Sequence, residues 1–220
     1  TGSQTIFRVG EPISSFWGYE RYGTWGSDEN PAGVQPGQAK RSDQPTIIGK
    51  GIPTWTGSFV NNLRYRNFYF TLDLQFVYDV DIMQQFYHST EDRSGIANGL
   101  RSILTGWTPE NQNTMVQEIR HQGYGGQDTQ VDSRWIADGS YLRVNLISLG
   151  YNIDGGLLER LKLNNLRIYA SVQNAFVFHS DEFQGYDPEA TSWGEQWTQN
   201  IFFFQYPKPR TYTLGVNLKF

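Results

Sequence analysis

The sequence predicts an all-β fold, an antiparallel segment of a transmembrane β-barrel with long extracellular loops and short periplasmic turns. Several stretches alternate apolar and polar residues, the pattern of a strand whose two faces meet different surroundings. Aromatic residues are abundant, with 13 Tyr, 14 Phe and 7 Trp among 220 residues, and barrels of this class carry aromatic girdles at both membrane interfaces. The predicted connections also alternate in length, as they do in such barrels.

The composition excludes several other classes of protein. There is no Cys, which rules out disulfide scaffolds, thiolate metal sites and Cys nucleophiles. The net charge of −4 and the lack of a basic stripe argue against a nucleic-acid partner. The longest purely apolar run, Ile201–Phe204, is far too short for a spanning helix. Any membrane would therefore have to be crossed by strands.

About six strands are predicted along the chain. The first is broken at Gly10–Pro12, because proline lacks the donor that a strand ladder needs. A tight turn at Arg66–Asn67 joins the second strand to the third, and the fifth strand follows a connection of moderate length. An irregularity is expected in the fourth strand, where Leu146 and Ile147 interrupt the alternation. The predicted strands cover residues 5–22, 54–65, 68–80, 140–153, 164–178 and 207–220.

The third and last strands carry the clearest apolar faces, and these faces are expected to meet lipid. The last strand is expected to end at a membrane interface on an aromatic residue. The residues predicted to face lipid are Phe70, Leu72, Leu74, Phe76, Leu214, Val216, Leu218 and Phe220. A long strand in a soluble sandwich alternates in the same way, because one face meets the core and the other meets water. That alternative stays open at this point.

Long connections follow every second strand, at residues 23–53, 81–139 and 179–206. Compact soluble domains rarely contain several such loops, whereas outer-membrane barrels carry long loops at their extracellular end. Six strands fall short of the minimum of about eight for such barrels. We therefore expect this chain to pair with strands of another chain, or to be the last part of a longer one, since open edges in lipid are costly.

Catalytic and metal-binding patterns are not found in the sequence. His179-Ser180-Asp181 contains the residue types of a catalytic triad, but adjacent residues cannot aim at one another as a triad requires. The carboxylates near residues 181–189 lack the spacing of a calcium loop and are interpreted as solvated charge. Aromatic residues in the long loops are the candidate ligand contacts, because rings stack on sugar faces and grip apolar side chains. They are Trp107, Tyr124, Trp193 and Trp197. The alternative is that these rings pack the loops together.

Motifs spread along nearly the whole chain resemble one family. They include Gly10-Glu-Pro-Ile-Ser-Ser-Phe-Trp-Gly-Tyr19, Leu63-Arg-Tyr-Arg-Asn-Phe68, Ser133-Arg-Trp-Ile-Ala-Asp-Gly-Ser-Tyr-Leu-Arg143, Gly185-Tyr-Asp-Pro-Glu189 and Tyr206-Pro-Lys-Pro-Arg-Thr-Tyr-Thr-Leu-Gly215. In this order they are similar to the C-terminal end of the SusC/RagA family of TonB-dependent outer-membrane transporters of Bacteroidota.

The resemblance implies a barrel of about 22 strands with an N-terminal plug in its lumen, of which residues 1–220 would be the incomplete C-terminal part. It implies an integral protein of the bacterial outer membrane that imports oligosaccharides or peptides, not an enzyme, with no cofactor. The implied partners are the remaining barrel and plug, a SusD-like surface lipoprotein, the TonB complex, the oligosaccharide or peptide substrate and membrane lipid.

The chain departs from the family pattern at Gly26–Arg41, which lacks the Asp-rich sequence of many relatives, so no metal site is expected there. Two alternative functions stay open. One is a soluble carbohydrate-binding β-sandwich, and the other is a SusC-like barrel recruited as a scaffold in an envelope complex, since fold does not fix function.

Overall fold

The protein is described here by a computed structural model, which covers residues 4–29, 31–91, 98–120, 130–189, 192 and 198–219. Its contacts divide the chain into two units. The sheet unit comprises Thr54–Asp79, Ser140–Ser180 and Tyr206–Phe220. The loop unit comprises Thr1–Pro53, Val80–Gly139 and Asp181–Gln205. Each unit is assembled from three separate stretches, so long-range pairing in each one holds distant parts of the sequence together.

One five-stranded sheet makes up most of the sheet unit. Its strands are β6 (Trp55–Tyr65), β7 (Phe68–Tyr78), β10 (Tyr141–Ile153), β11 (Asn165–His179) and β13 (Thr211–Lys219). They lie in the order β13–β11–β10–β7–β6, and every neighbouring pair is antiparallel. Each strand is therefore paired with the next strand of the sheet along the chain, as in an up-and-down barrel wall. Strands of this length suffice to cross a membrane, which takes about 9 to 11 tilted residues.

Short connections close one end of this sheet. β6 and β7 are joined by the predicted turn, in which Arg66 has a positive φ of 52°. Asn67, the other residue of the turn, donates a side-chain hydrogen bond of 2.6 Å to Asp154. The connection between β10 and β11 contains a short helix, α2 (Gly156–Leu161).

The predicted irregularity of the fourth strand is present, slightly earlier than expected. The pairing of β10 with both β7 and β11 shifts between Val144 and Leu146, which leaves Asn145 as an additional residue. On β11 the matching distortion falls at Asn174, whose φ is 51°; Asn tolerates this left-handed conformation better than most residues do. Because the shift restores the alternation, the apolar residues on both sides of it share one face.

The first predicted strand does not join the large sheet. Residues 5–22 instead form three short strands, which pair with two others inside the loop unit. Ser14, with a positive φ of 64°, and the predicted break at Gly10–Pro12 turn the chain back on itself. The strands are β1 (Thr5–Ile6), β2 (Ser15–Gly18), β3 (Arg21–Thr24), β4 (Ala39–Arg41) and β5 (Thr46–Lys50). They form the sheets β1–β2–β5 and β3–β4.

The rest of the loop unit is organised around a third small sheet. β8 (Asp81–Gln84) pairs antiparallel with β9 (Ile136–Asp138) and parallel with β12 (Ile201–Phe202). A short helix, α1 (Tyr87–Thr90), and two 3-10 turns at Arg101–Thr105 and Ser133–Trp135 complete the described elements. In the described ranges, no helix has both the length and the apolar character that a membrane crossing requires.

The apolar core of the chain lies in the loop unit. One cluster gathers Ile82, Phe86, Tyr87, Trp135, Ala137, Phe183 and Phe202, and a second gathers Phe16, Met83 and Ile201. The ring of Phe202 makes edge contacts with Phe86 and Phe183, at centroid distances of 5.8 and 5.2 Å. This region therefore folds like the interior of a soluble protein, because it buries rings that are distant in sequence.

Candidate functional surfaces

The large sheet presents one almost wholly apolar face, here called the apolar face. The register aligns Phe59 with Leu74, and Leu74 with Val144 and Phe176, so these side chains project on the same side. Its apolar members are Trp55, Phe59, Leu63, Tyr65, Phe68, Phe70, Leu72, Leu74, Phe76, Tyr78, Leu142, Val144, Ile147, Leu149, Tyr151, Ile153, Leu166, Ile168, Ala170, Val172, Phe176, Phe178, Tyr212, Leu214, Val216 and Leu218.

Much of the apolar face is exposed in this chain. Leu214 is 79% exposed, Val216 55% and Phe59 55%. A soluble sheet buries such a face against a core, and an exposed apolar patch of this extent marks an interaction surface. Of the sequence-predicted lipid contacts, Leu218 and Phe76 are also exposed, at 52% and 43%. Phe70, Leu72 and Leu74 are half-buried by their neighbours on the sheet, and Phe220 lies outside the described residues.

Aromatic residues bracket the apolar face along its first strands. Tyr65, Phe68 and Tyr151 lie beside the short turn, where the rings of Phe68 and Tyr151 are 4.7 Å apart. Trp55 and Tyr78 pair at the opposite end of β6 and β7. The middle of the apolar face, between these two aromatic ends, includes Leu63, Leu72 and Leu74. Eleven residues in β6 and in β7 at about 3.3 Å each, tilted by about 45°, span roughly 26 Å, which matches the apolar band of an outer-membrane barrel.

A glycine supports the packing of Phe76 on this face. Gly57 is paired with Phe76, and a Cβ on Gly57 would lie 2.4 Å from the Phe76 ring. The ring therefore lies across the backbone of β6 in the space that a side chain would fill. Such a contact between an aromatic ring and a cross-strand glycine fixes the ring's position and the register of the two strands.

The opposite side of the sheet, the polar face, carries hydroxyl, amide and charged groups. Its members include Ser58, Asn62, Thr71, Asp73, Gln75, Arg143, Ser148, Gln173, Thr213 and Asn217. Thr71 donates a hydrogen bond to Asn62 at 2.8 Å, and Asn145 donates one to Gln75 at 3.3 Å. Arg143 is only 3% exposed. A sheet with these two faces fits a wall that separates an apolar medium from a wet one.

Near the short turn, the polar face holds a ring between two cations. The guanidinium carbons of Arg64 and Arg167 lie 5.0 and 5.1 Å from the centre of the Tyr69 ring. Asn152 donates a 3.1 Å hydrogen bond to the Tyr69 hydroxyl. Both contacts are within the range of cation–π attraction. The sequence pattern alone does not reveal this contact, although Arg64 and Tyr69 flank the predicted turn symmetrically and are therefore cross-strand neighbours.

A buried ionic cluster ties the loop unit together. The Asp132 carboxylate is fully buried and accepts hydrogen bonds from Arg21 Nη2 at 2.6 Å and Arg41 Nε at 2.5 Å. Its other oxygen accepts a bond from the backbone N–H of Arg134 at 3.0 Å. Arg21 also donates to the carbonyl of Met115 at 2.9 Å. Asp132 and Arg21 together therefore join four segments of the loop unit, and such a carboxylate is costly to bury without its partners.

Arg134, two residues after Asp132, forms a second ion pair, with Glu91. Arg134 Nε and Nη2 donate to the two oxygens of Glu91 at 2.8 and 3.2 Å, and Ser102 donates a short hydrogen bond to the same carboxylate. Burial acts to lower the pKa of Arg134, but the hydrogen bond and charge of Glu91 outweigh it, so the pKa is raised.. Arg134 stays cationic and holds residues 87–91 and 98–105 against the 3-10 turn at residue 134.

At the exposed edge of the loop unit, Lys40 forms a 2.7 Å ion pair with Glu29 and lies 4.5 Å from the centre of the Trp25 ring. The hydrogen bond from Lys40 lowers the pKa of Glu29. Glu29 and Lys40 lie in the 26–41 stretch, and Trp25 immediately precedes it. Among the residues that the structure describes, no group of three or more potential metal ligands of the His, Cys, Asp or Glu type is found.

The loop unit also contains a cavity of about 910 Å³. Its charged and amide walls are formed by Arg101, Arg134, Glu182, Gln84 and Gln184. Trp107, one of the predicted aromatic contacts, does not line it: Trp107 is only 6% exposed, and its backbone N–H donates to Val116 at 3.0 Å. Its burial is consistent with a role in packing the loops, and the predicted ligand contact of Trp107 stays a prediction. Tyr124, Trp193 and Trp197 lie outside the described residues.

Comparison with known proteins relates these features to one group. The chain is 32% identical to TonB-dependent receptor P3 of Formosa agariphila over 98% of its own length, and 25% identical to TonB-dependent receptor SusC of Bacteroides thetaiotaomicron over 97%. Its fold is similar to that of a chain in the RagAB peptide importer in the closed-closed state, with a TM-score of 0.73, 22% identity and 98% of this chain covered. These relatives and the shared fold support a fragment of a SusC/RagA-family TonB-dependent transporter.

Members of the SusC/RagA family are outer-membrane β-barrels, and they are transporters, not enzymes. The chain spans 23% of receptor P3, 20% of SusC and 24% of the RagAB chain. No family model matches the sequence.

Proposed function

We propose that the large sheet is a section of the wall of a TonB-dependent importer, with the apolar face against lipid and the polar face lining the lumen. One observation carries this proposal: an extended sheet leaves its apolar face exposed while its other face is polar. In this arrangement Phe70, Leu72, Leu74, Phe76, Leu214, Val216, Leu218 and Phe220 contact acyl chains. A soluble carbohydrate-binding sandwich is disfavoured, because its apolar faces would pack against each other.

The rest of the barrel and the plug are supplied by sequence outside residues 1–220. β6 and β13 are the two outer strands of the sheet, and in lipid each unpaired backbone group on such an edge costs several kcal/mol. Both edges therefore pair with further strands of the complete barrel. The chain is then one section of a wall of about 22 strands.

The complete protein imports oligosaccharides or peptides, acting with a SusD-like surface lipoprotein and the TonB complex. Support comes from the relatives, one named SusC and one described as part of a peptide importer. The loop unit, with its ionic clusters and cavity, is the extracellular part that such a lid would meet. Tyr124, Trp193 and Trp197 remain the proposed aromatic substrate contacts, whereas the buried Trp107 acts through the packing of the loops.

Uptake by cells tests the proposed activity. A strain that lacks the complete protein and a strain that lacks TonB are each given a panel of fluorescent peptides and oligosaccharides. The proposal expects at least one compound to enter wild-type cells and neither mutant, with uptake restored by a plasmid copy. Normal uptake of the whole panel in the TonB-deficient strain, with the protein still required, would contradict TonB-driven import. Uptake that is unchanged in both strains would favour the scaffold alternative.

A further inference from the structure

A groove crosses the apolar face at the end of the sheet opposite the short connections. It has a volume of about 570 Å³, and aromatic rings form its two sides. Phe76 pairs with Leu142 and Leu142 pairs with Phe178, so the two rings lie in one cross-strand row with the smaller Leu142 between them. This row lies on β7, β10 and β11, the inner strands of the sheet. Strands that complete the barrel pair with the outer strands, so they leave the groove in place.

The sequence keeps the groove open at two positions. The Phe76 ring lies over Gly57, where a Cβ would be 2.4 Å from it, so the ring leans onto β6 and away from Leu142. Beyond this row the groove is lined by Ser140, a small residue that directly precedes β10. An apolar channel between two fixed rings fits a hydrocarbon chain, because the chain contacts both rings and the aliphatic floor at once.

Two further rings form the rim of the groove at the end of the strands. Trp55 and Tyr78 are paired with each other and are 65% and 62% exposed. Within the described ranges, neither the indole N–H nor the phenol hydroxyl has a hydrogen-bond partner. Rings of this kind at a membrane interface contact lipid with their apolar body and head groups with their polar atom. Their exposed faces also suit stacking on sugar rings.

A cation lies on the apolar face at the other side of the groove. The guanidinium carbon of Arg210 is 5.3 Å from the centre of the Phe176 ring, and Phe176 stacks on Phe178 with 6.3 Å between the ring centres. Arg210 Nε donates to the carbonyl of Asn174 at 3.4 Å. In the part of the chain that the structure describes, Arg210 forms no ion pair. A cation that faces lipid is costly unless it meets polar groups, and a guanidinium group held in this way matches the geometry of a phosphate.

The spacing of these groups indicates the size of the lipid. Arg210 directly precedes β13, and three strand spacings, about 14 Å, separate β13 from β7. A phosphorylated disaccharide with several acyl chains spans this distance, whereas the head group of a two-chain phospholipid is narrower. The carboxylate next to the rim is Asp79, on the β7 side, where it accepts a hydrogen bond from Thr54 at 2.5 Å. The phosphate is therefore expected at Arg210 and the sugar near Tyr78.

We propose that the groove, its rim and Arg210 form a binding site for a phosphorylated glycolipid of the outer leaflet. Arg210 binds the phosphate, the groove between Phe76 and Phe178 holds an acyl chain, and the exposed rings of the rim contact the sugar. The inference rests on the proposed function, in which the apolar face meets lipid and this end of the sheet is extracellular. It adds to that function a lipid of defined chemistry at a defined place.

Native mass spectrometry of the complete protein, purified and stripped of lipid, tests this site. Lipid A, a phosphorylated glycolipid, is the probe, and bound molecules are counted at increasing concentration. Arg210→Gln should weaken the binding of one molecule by about tenfold or more, because a charge-assisted hydrogen bond is lost. Arg210→Lys keeps the charge and should retain most of the binding. Arg66→Gln is the matched control, since Arg66 is also exposed and lies 5.5 Å from the centre of the Tyr65 ring, but at the short turn.

Two further comparisons separate the parts of the site. Dephosphorylated lipid A should bind wild type and Arg210→Gln alike, because the phosphate is the partner of the cation. Leu142→Trp fills the groove with a larger side chain and should weaken the binding of lipid A with or without its phosphate. Phosphatidylglycerol, a two-chain anionic lipid, should bind more weakly than lipid A and depend less on Arg210.

Heat-modifiable migration in detergent gels reports whether each variant is folded. Equal binding of lipid A by wild type and Arg210→Gln, or equal losses in Arg210→Gln and Arg66→Gln, would overturn the proposal. So would phosphatidylglycerol that binds as tightly and depends as much on Arg210, since the site would then take any anionic lipid. If Arg210→Gln does not fold, Leu142→Trp decides, and unchanged binding in that variant would overturn the proposal. None of these results alters the wall assignment, which the exposure of β13 to lipid tests separately.

Discussion

At the scale of single residues, the loop unit depends on charges that the sequence does not place together. Asp132 is buried against Arg21 and Arg41, from which it is separated by 111 and 91 residues. No local sequence pattern predicts these contacts, because folding brings together three distant stretches, around residues 21, 41 and 132. The buried Trp135 lies in the motif of residues 133–143 that resembles the family, directly after these charges.

Removing the charge of Asp132 should loosen the loop unit. Asp132→Asn leaves two buried guanidinium groups without their anion, and breaking a buried pair in this way typically costs about 3–5 kcal/mol. Hydrogen exchange of the complete protein should therefore become faster in residues 14–24 and 130–139. Asp43→Asn, at an exposed position, is the control and should leave exchange unchanged. Equal exchange in the two variants would show that the ionic cluster does not hold these segments.

The sheet unit also depends on a single residue, Gly57, against which the Phe76 ring packs. Gly57→Ala places a methyl group where the Phe76 ring lies, 2.4 Å from its nearest atom. The ring must move, at a cost of about 1–3 kcal/mol for overpacking. The melting temperature of the purified protein should fall, and the double variant Gly57→Ala/Phe76→Leu should recover part of the loss. A larger loss in the double variant would exclude this clash as the cause.

At the scale of elements, the strands that alternate without interruption were predicted well. β7 and β13 appear within the predicted bounds, because strict alternation admits only one period. Residues 5–22 were predicted as one extended segment, but the break at Gly10–Pro12 and the positive φ of Ser14 divide it, and its polar and apolar residues pack in the loop unit. The Arg64–Tyr69–Arg167 contact needed the register across β7, β10 and β11, whereas the turn alone suggests only the register of β6 and β7.

The two faces of β7 should respond differently to charge. Arg at Leu72 or Leu74 should cost about 2–4 kcal/mol if the site is near the middle of the bilayer, whereas Arg at Asp73 should be tolerated in a wet lumen. Folding of the complete protein into lipid vesicles, measured by equilibrium denaturation, gives the three values. Similar losses at all three positions would indicate two buried faces, as in a soluble sandwich.

At the scale of the whole molecule, the number of strands decides which connections lie at the same end of the sheet, because each strand reverses the direction of the chain. Five strands in sequence place the connections after β7 and β11 at one end of the sheet, together with the stretch before β6. The proposed orientation makes these segments extracellular. A protease site inserted at Asp28, an exposed residue of the loop unit, should be cut in intact cells. An insertion in the turn at Asn67 should be cut only after the outer membrane is opened, and the reverse result would invert the topology.

The central claim is that one sheet face meets lipid and the other meets water, and spin labels along β13 test it most directly. The chain contains no Cys, so single cysteines at residues 213–217 can be labelled in an otherwise cysteine-free complete protein in vesicles. Leu214 and Val216 are predicted to give high collision rates with oxygen and low rates with a water-soluble nickel complex. Thr213, Gly215 and Asn217 are predicted to give the opposite. Uniform accessibility to the nickel complex at all five positions would contradict a lipid-facing wall.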